Sequence, residues 1–356
     1  PNRAAAGADR LKPVLNQSDP RTMRITPQIL LNIAQDTVKK RKRSEWDLLS
    51  AYLIGSLVNS DPLLGGSADI DLVFVHNNDP EVHREIIPVS DDVHLDILHY
   101  ARADLQAGRK LRGHPYLGPE IFHCMILYDP QHFMDFVQAG VRGLYGRPDY
   151  VHERAQALLD SSRKIWRTLY MGEAQFGPPE AGAYLDAVEC AANSFASLTG
   201  PPLAVRRMLA ALPARAEALG KPGLYQGIIG LLGGGSAEAE DMRGWVPEWR
   251  SAVKAASRME ESPTDLLPPR GAYYRSGIEA YLESETGQEA LWPLVRTWTQ
   301  AAAVLPEKGK HRRLWAGALG QLGLSKEAME GRLAALDAFL DNLEETLEEW
   351  AQAHGA

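Results

Sequence analysis

Cysteine is nearly absent from this chain. Cys124 and Cys190 are the only two in 356 residues, too few and too far apart for a disulfide framework or a cysteine metal site. No apolar run approaches the roughly 20 residues that span a bilayer, so no membrane partner is expected. There is no internal repeat and no low-complexity tract, which sets aside repeat arrays. The first 22 residues lack the apolar centre of a secretory signal. They read as a disordered leader with Met23 a candidate natural start, and the expected location is the cytoplasm. A basic surplus is also missing: 38 Lys and Arg stand against 46 Asp and Glu, a net charge of −8. A protein that gathers long nucleic acid carries a broader positive surface, so that partner is not expected.

What is present fits a soluble globular chain, 45% hydrophobic and 24% charged, long enough for two domains. Charge is unevenly placed. Residues 1–50 carry 10 Lys and Arg against 5 Asp and Glu, whereas residues 51–150 carry 7 against 14. The early excess sits in Lys39-Lys40-Arg41-Lys42-Arg43, at the end of a helical pattern over 25–45 set by Ile29, Leu30, Ile33 and Val38. A solvated helix end is the expected reading, a nucleic-acid patch the alternative. Three short apolar runs bounded by turn residues follow, Leu48 to Ile54, Ile70 to Val75 and Val93 to Leu98, and their composition predicts strands. Beyond residue 150 helical periodicity takes over, in 151–171, 180–199, 203–219, 240–260, 274–284, 288–304 and 325–352. The last of these carries Met329, Leu333, Leu336, Leu340, Leu343, Leu347 and Trp350 on one stripe. Packing within its own domain is the expected use of that stripe, and a homodimer seam the alternative.

Chemistry concentrates between the first and third strands. Residues two apart on a strand face the same way, so Asp69 and Asp71 present both carboxylates to one side, with Ile70, Leu72 and Phe74 on the other. Two acids on one face repel unless a cation neutralises them, and hard oxygen ligands suit Mg²⁺ or Mn²⁺. Asp96 stands in the middle of the next apolar run, where a carboxylate needs a partner. If its strand lies beside the Asp69–Asp71 strand, three acids converge. Carboxylates around two ions are the apparatus of in-line phosphoryl or nucleotidyl transfer. Gly55-Ser56, after the first run, offers close backbone approach and a hydroxyl to phosphate oxygens. The plainer alternative is turn chemistry, with Asp96 a solvated edge residue.

Taken together, Gly55-Ser56, the Gly65-Gly66-Ser67-Ala68 turn, Asp69-Ile70-Asp71-Leu72 and Leu95-Asp96-Ile97 resemble the signature of the polymerase-β-like nucleotidyltransferase superfamily. That group includes aminoglycoside nucleotidyltransferases, CCA-adding enzymes, poly(A) polymerases and small antitoxin-type transferases. The resemblance covers residues 25–105, and the twelve-residue spacer between Ser56 and Asp69 is long for the pattern. It implies an α+β nucleotidyltransferase domain over 23–145, a small mixed sheet with flanking helices, and an all-α domain over 146–356 closing the cleft. It further implies that Gly55 and Ser56 meet the triphosphate of ATP or another NTP. Asp69, Asp71 and Asp96 are then the catalytic, metal-holding residues for two Mg²⁺ ions, with Mn²⁺ an alternative. The reaction implied is transfer of a nucleoside monophosphate to a hydroxyl of a small-molecule acceptor, with release of pyrophosphate. An acceptor of protein or RNA, or a non-catalytic nucleotide-binding role, are the alternatives. Weaker signals are His94, expected exposed on its strand, with tuning of Asp96 the alternative; Glu189, expected to be an ordinary helix-surface acid, with an analogue of a second-domain carboxylate base the alternative; Arg206-Arg207 and Lys221, for which phosphate contact from the helical domain is likewise the lesser alternative; and Gly233-Gly234-Gly235-Ser236, expected to be a flexible linker rather than a phosphate loop.

Overall fold

The computed structural model describes residues 25–59, 61–105, 108–172, 176–284 and 287–356; the expected leader, residues 1–22, lies outside them. Helix α1 (Pro27–Ser44) starts where Thr26 Oγ1 accepts the Ile29 amide at 3.3 Å and Pro27 fills the first turn, a position at which proline costs no hydrogen bond. Its buried stripe is Leu30, Ala34 and Val38. Of the basic run only Arg41 is drawn inward, to Glu45 and Glu85 at 2.7 Å each; Lys39, Lys40, Lys42 and Arg43 stay exposed.

Strands β1 (Leu48–Leu53), β2 (Ala68–His76), β3 (Arg84–Pro88), β4 (Val93–Ala101) and β5 (Met125–Tyr128) form a mixed sheet in the order β3-β4-β2-β1-β5. The β2–β4 pair is parallel and the others antiparallel. The three expected strands are therefore its centre, and β3 and β5 are edges that the pattern did not reveal. Alternation along β2 splits the core. Ile70, Leu72 and Phe74 pack with Leu95 and Ile97 against α1. Val73 and Val75 pack with Leu49 and Tyr52 on the other side. Helix α2 (Ser56–Asn59) is one turn after β1, and α3 (Gly108–Gly113), α4 (Leu117–His123) and α5 (Phe133–Arg142) cover the Val73–Val75 side through Leu111, Ile121, Met134 and Val141. Asp69 and Asp71 share that side at the start of β2, and there the helical part takes over the covering.

That part comprises α6 (Pro148–Met171), α7 (Pro178–Ala196), α8 (Met208–Ala218), α9 (Gly223–Leu231), α10 (Ala239–Ala256), α11 (Pro268–Leu282), α12 (Leu291–Val304), α13 (Lys310–Gln321) and α14 (Met329–His354). Trp249, Trp292 and Trp298 are fully buried at its centre. The Trp249 indole meets its hydrogen-bond demand at Thr297 Oγ1, 2.8 Å away, as a buried indole N–H requires. Leu333, Leu336, Leu340, Leu343 and Leu347 of α14 are buried in the same core, beside α6 and α7. The stripe thus packs within its own chain and is not free to serve as the dimer seam offered as its alternative. Gly233 and Gly234 are also buried, packed on Leu322 and Ile229, while Gly235 and Ser236 are exposed, so the first half of the expected flexible linker is a packed turn. No helix among the described residues is long and apolar enough to cross a membrane.

Candidate active site

Strand register brings the acids together. Asp71 pairs with Asp96 and Asp69 with His94 across the parallel β2–β4 ladder. Paired residues of neighbouring strands face the same way, so the three carboxylates share one surface. Asp69 and Asp96 are 8% and 5% exposed, far below what unpartnered surface acids show. Burial, then the charges of Asp69 and Asp96, push the Asp71 carboxyl well above the usual range, against opposing pulls from Arg270 and Arg84. This is the electrostatic strain that carboxylate crowding predicts.

Gly55 lies at the carboxyl end of β1 with φ of +74°, a conformation glycine adopts without steric cost. A Cβ at this position would stand 1.9 Å from Asp71 Oδ2. The backbone of the Gly-Ser turn therefore touches the acid directly, and Ser56 opens α2 on the rim of the same cavity. The loop leading to β2 is held from the helical part. Arg206 Nη2 donates to Leu64 O at 2.6 Å and Ser67 Oγ at 2.7 Å, while Arg207 Nη2 donates to Asp61 O at 2.8 Å and Leu63 O at 3.0 Å. The buried Arg206 guanidinium also lies 3.7 Å over the Tyr273 ring, a stacking arrangement that suits a desolvated cation. Gly65 fits here because a Cβ would meet Ser276 O of α11 at 2.0 Å.

Asp96 faces two arginines. Arg84 Nε and Nη2 donate to its Oδ1 and Oδ2 at 2.8 and 2.7 Å, the bidentate geometry that a guanidinium gives a carboxylate. Arg270 Nη1 donates to Oδ2 as well. Asp265 Oδ1 stands 3.3 Å from Arg84 Nη2 and 3.3 Å from Arg270 Nε. The cavity has a volume of about 560 Å³ and is lined by four aspartates, Asp69, Asp71, Asp96 and Asp265, and four arginines, Arg84, Arg206, Arg207 and Arg270, with Tyr116, Tyr273 and Tyr274. Its formal charge is zero.

The fit to divalent ions is divided. Asp69, buried, and Asp71, half-buried, are neighbouring oxygen donors whose mutual repulsion a hard cation would relieve. The Asp96 oxygens are taken by guanidinium N–H groups. Among the described residues no three His, Cys, Asp or Glu side chains stand grouped as an ion site. The three acids expected to hold the ions share a face, and in this structure two arginines stand on the oxygens of the third.

Other expected residues fall in different places. His94 is buried rather than exposed, edge-on to Tyr273 at 5.3 Å. Burial pushes it down to about 4, so it is a neutral ring. Glu189 is held by Arg296 at 3.6 Å, and burial pushes its carboxyl up to about 7; it lies outside the cavity lining. Lys221 pairs with Glu349 of α14, away from the cleft. Arg84, Asp265, Arg270, Tyr273 and Tyr274 escaped the sequence reading. One usable signal was Pro268-Pro269, a pair that suits the first turn of a helix. The prolines begin α11, which puts Arg270 in its first turn. The chain matches no protein-family model and no curated protein sequence.

Proposed function

We propose that the chain is a divalent-cation-dependent nucleotidyltransferase of the polymerase-β-like type. In this reading residues 23–145 are the nucleotidyltransferase domain and residues 146–356 close its cleft. The observation that carries it is the pairing of Asp71 with Asp96 on neighbouring parallel strands, with Asp69 on the same face, at a cavity rimmed by Gly55-Ser56. Asp69 and Asp71 are the residues that would hold the cation, Mg²⁺ or Mn²⁺, and Asp96 is the third acid beside them. When bound, the ions supply charge neutralisation and acidify the attacking hydroxyl. The chain's own groups do the rest. The Ser56 hydroxyl and the adjacent backbone meet phosphate oxygens. The Arg206 and Arg207 contacts fix the loop that enters β2, and α11 excludes water over the acids through Tyr273 and Tyr274.

The donor is ATP or another NTP, and the acceptor is a hydroxyl on a small molecule. A cavity of about 560 Å³ is in the range that encloses small ligands. The neutral lining favours neither a polycation nor a long polyanion, so the net acidity of the chain says nothing about the acceptor. Incubation with labelled NTP, Mg²⁺ and pooled hydroxyl acceptors tests the reading. Release of pyrophosphate by the wild type, and its loss in Asp69→Asn and Asp71→Asn, is the expected result. A wild type that binds NTP yet releases no pyrophosphate with small-molecule, protein or RNA acceptors overturns it in favour of a binding protein.

A further inference from the structure

Asp96 is the most heavily counter-charged acid of the cleft. A carboxylate offers about four lone-pair positions, and Arg84 and Arg270 occupy three of them. A divalent ion cannot join those oxygens while two guanidinium charges remain on them, because like charges repel in a buried site. Both arginines already touch a second acid, Asp265, at 3.3 Å. Asp265 and Arg270 belong to the helical part, Arg84 and Asp96 to the sheet. Two cations are therefore shared between two anions across the cleft, and a guanidinium is as well shaped for a phosphate as for a carboxylate.

Resting on the nucleotidyltransferase reading, we propose that Arg84 and Arg270 are triphosphate ligands that stand on Asp96 until nucleotide arrives. An incoming triphosphate draws both guanidiniums from Asp96, Asp265 keeps them in the cleft during the exchange, and Asp96 is then open to a cation. The neutral lining supports the same coupling. A cation alone or a triphosphate alone unbalances the cavity charge, whereas a triphosphate with two divalent cations leaves it neutral. Nucleotide and cation therefore bind cooperatively, and the coupling is reciprocal. Arg84, Arg270 and Asp265 thereby couple the filling of the cation and nucleotide sites.

Mn²⁺ binding to the full chain, followed by the paramagnetic resonance of free Mn²⁺, tests this without turnover. The titration is run with and without the α,β-methylene analogue of ATP. For the wild type the analogue should tighten Mn²⁺ binding by about tenfold or more, a usual size for coupled sites. In Arg84→Gln and Arg270→Gln, Mn²⁺ alone should bind about tenfold more tightly, the analogue more weakly, and the coupling should collapse. Arg84 is on a partly exposed edge strand, so its variant serves if Arg270→Gln fails to fold. Lys39→Gln removes an exposed cation of α1 outside the cavity lining and should keep the coupling. A wild type that transfers nucleotide yet binds Mn²⁺ equally well with and without analogue overturns the exchange and leaves the enzymatic reading standing. A wild type that binds neither analogue nor Mn²⁺ overturns both.

Discussion

Replacing Asp71 with asparagine should make the ligand-free protein more stable while ending its chemistry. Residues paired across neighbouring strands lie about 4.8 Å apart, and residues two apart on one strand about 7 Å. At an effective dielectric near 20, a charge on Asp71 would meet roughly 3 kcal/mol of repulsion from the first neighbour and roughly 2 from the second. Asp96 is the first and Asp69 the second. Arg270 and Arg84 return part of this, leaving a net cost of roughly 1–3 kcal/mol. Asp71→Asn removes the charge and keeps the shape, so it should raise the melting temperature by about 2–5 °C. The sign of the pH dependence follows. A carboxyl raised in the folded state contributes stability that is fully present below its unfolded value and is lost as pH rises through its folded value. The advantage of the variant should therefore grow between pH 5 and pH 9, measured as urea midpoints at each pH. NTP with Mg²⁺ should reverse the order, because only the wild type gains from both. A variant that is less stable than wild type without ligands, or whose advantage shrinks with rising pH, would refute the reasoning.

Two further outcomes follow from the same geometry. Gly55→Ala places a Cβ 1.9 Å from Asp71 Oδ2 at a φ of +74°. It should cost roughly 2–4 kcal/mol in urea unfolding and abolish pyrophosphate release, while unchanged stability would remove the backbone–acid contact from the account. Glu120 accepts from Tyr52 at 2.8 Å, and burial pushes its carboxyl from 4.5 up to about 7. What it contributes is fully present below pH 4.5 and fades as pH rises through 7. Glu120→Gln should accordingly gain roughly 2–3 kcal/mol on wild type between pH 5 and pH 8.5, and a gap that does not change with pH counts against that shift.

The parts legible in the sequence are those fixed by local periodicity. Leu48–Leu53, Ala68–His76 and Val93–Ala101 stand out because strands buried in the middle of a sheet are almost continuously apolar. Against that background Asp69, Asp71 and Asp96 are conspicuous, and alternation alone tells which face they take. The edges escaped notice for the opposite reason. Arg84–Pro88 is only half-buried, so its residues need not be apolar, and Met125–Tyr128 is four residues long. Helix α9 was missed because Gly223, Gly227 and Gly230 dilute its pattern, and glycine is a poor helix former. The α14 stripe was legible, but whether it packs on its own chain depends on where α6 and α7 lie. The arginines of the cleft were illegible for a topological reason. Arg270 is 174 residues from Asp96, and no local pattern marks an arginine whose partner is brought near only by folding. Sequence disclosed the acids, whereas folding alone disclosed what they are bound to.

The central claim is that Asp69, Asp71 and Asp96 become one cation-holding surface beside a bound triphosphate. A crystal structure of the chain with Mn²⁺ and the α,β-methylene analogue of ATP tests it most directly. The account predicts anomalous Mn²⁺ density touching oxygens of all three aspartates, phosphates against Ser56, and Arg84 and Arg270 moved from Asp96 to the phosphates. Nucleotide bound elsewhere, or a nucleotide in this cavity with no ion on Asp69 and Asp71, would contradict it.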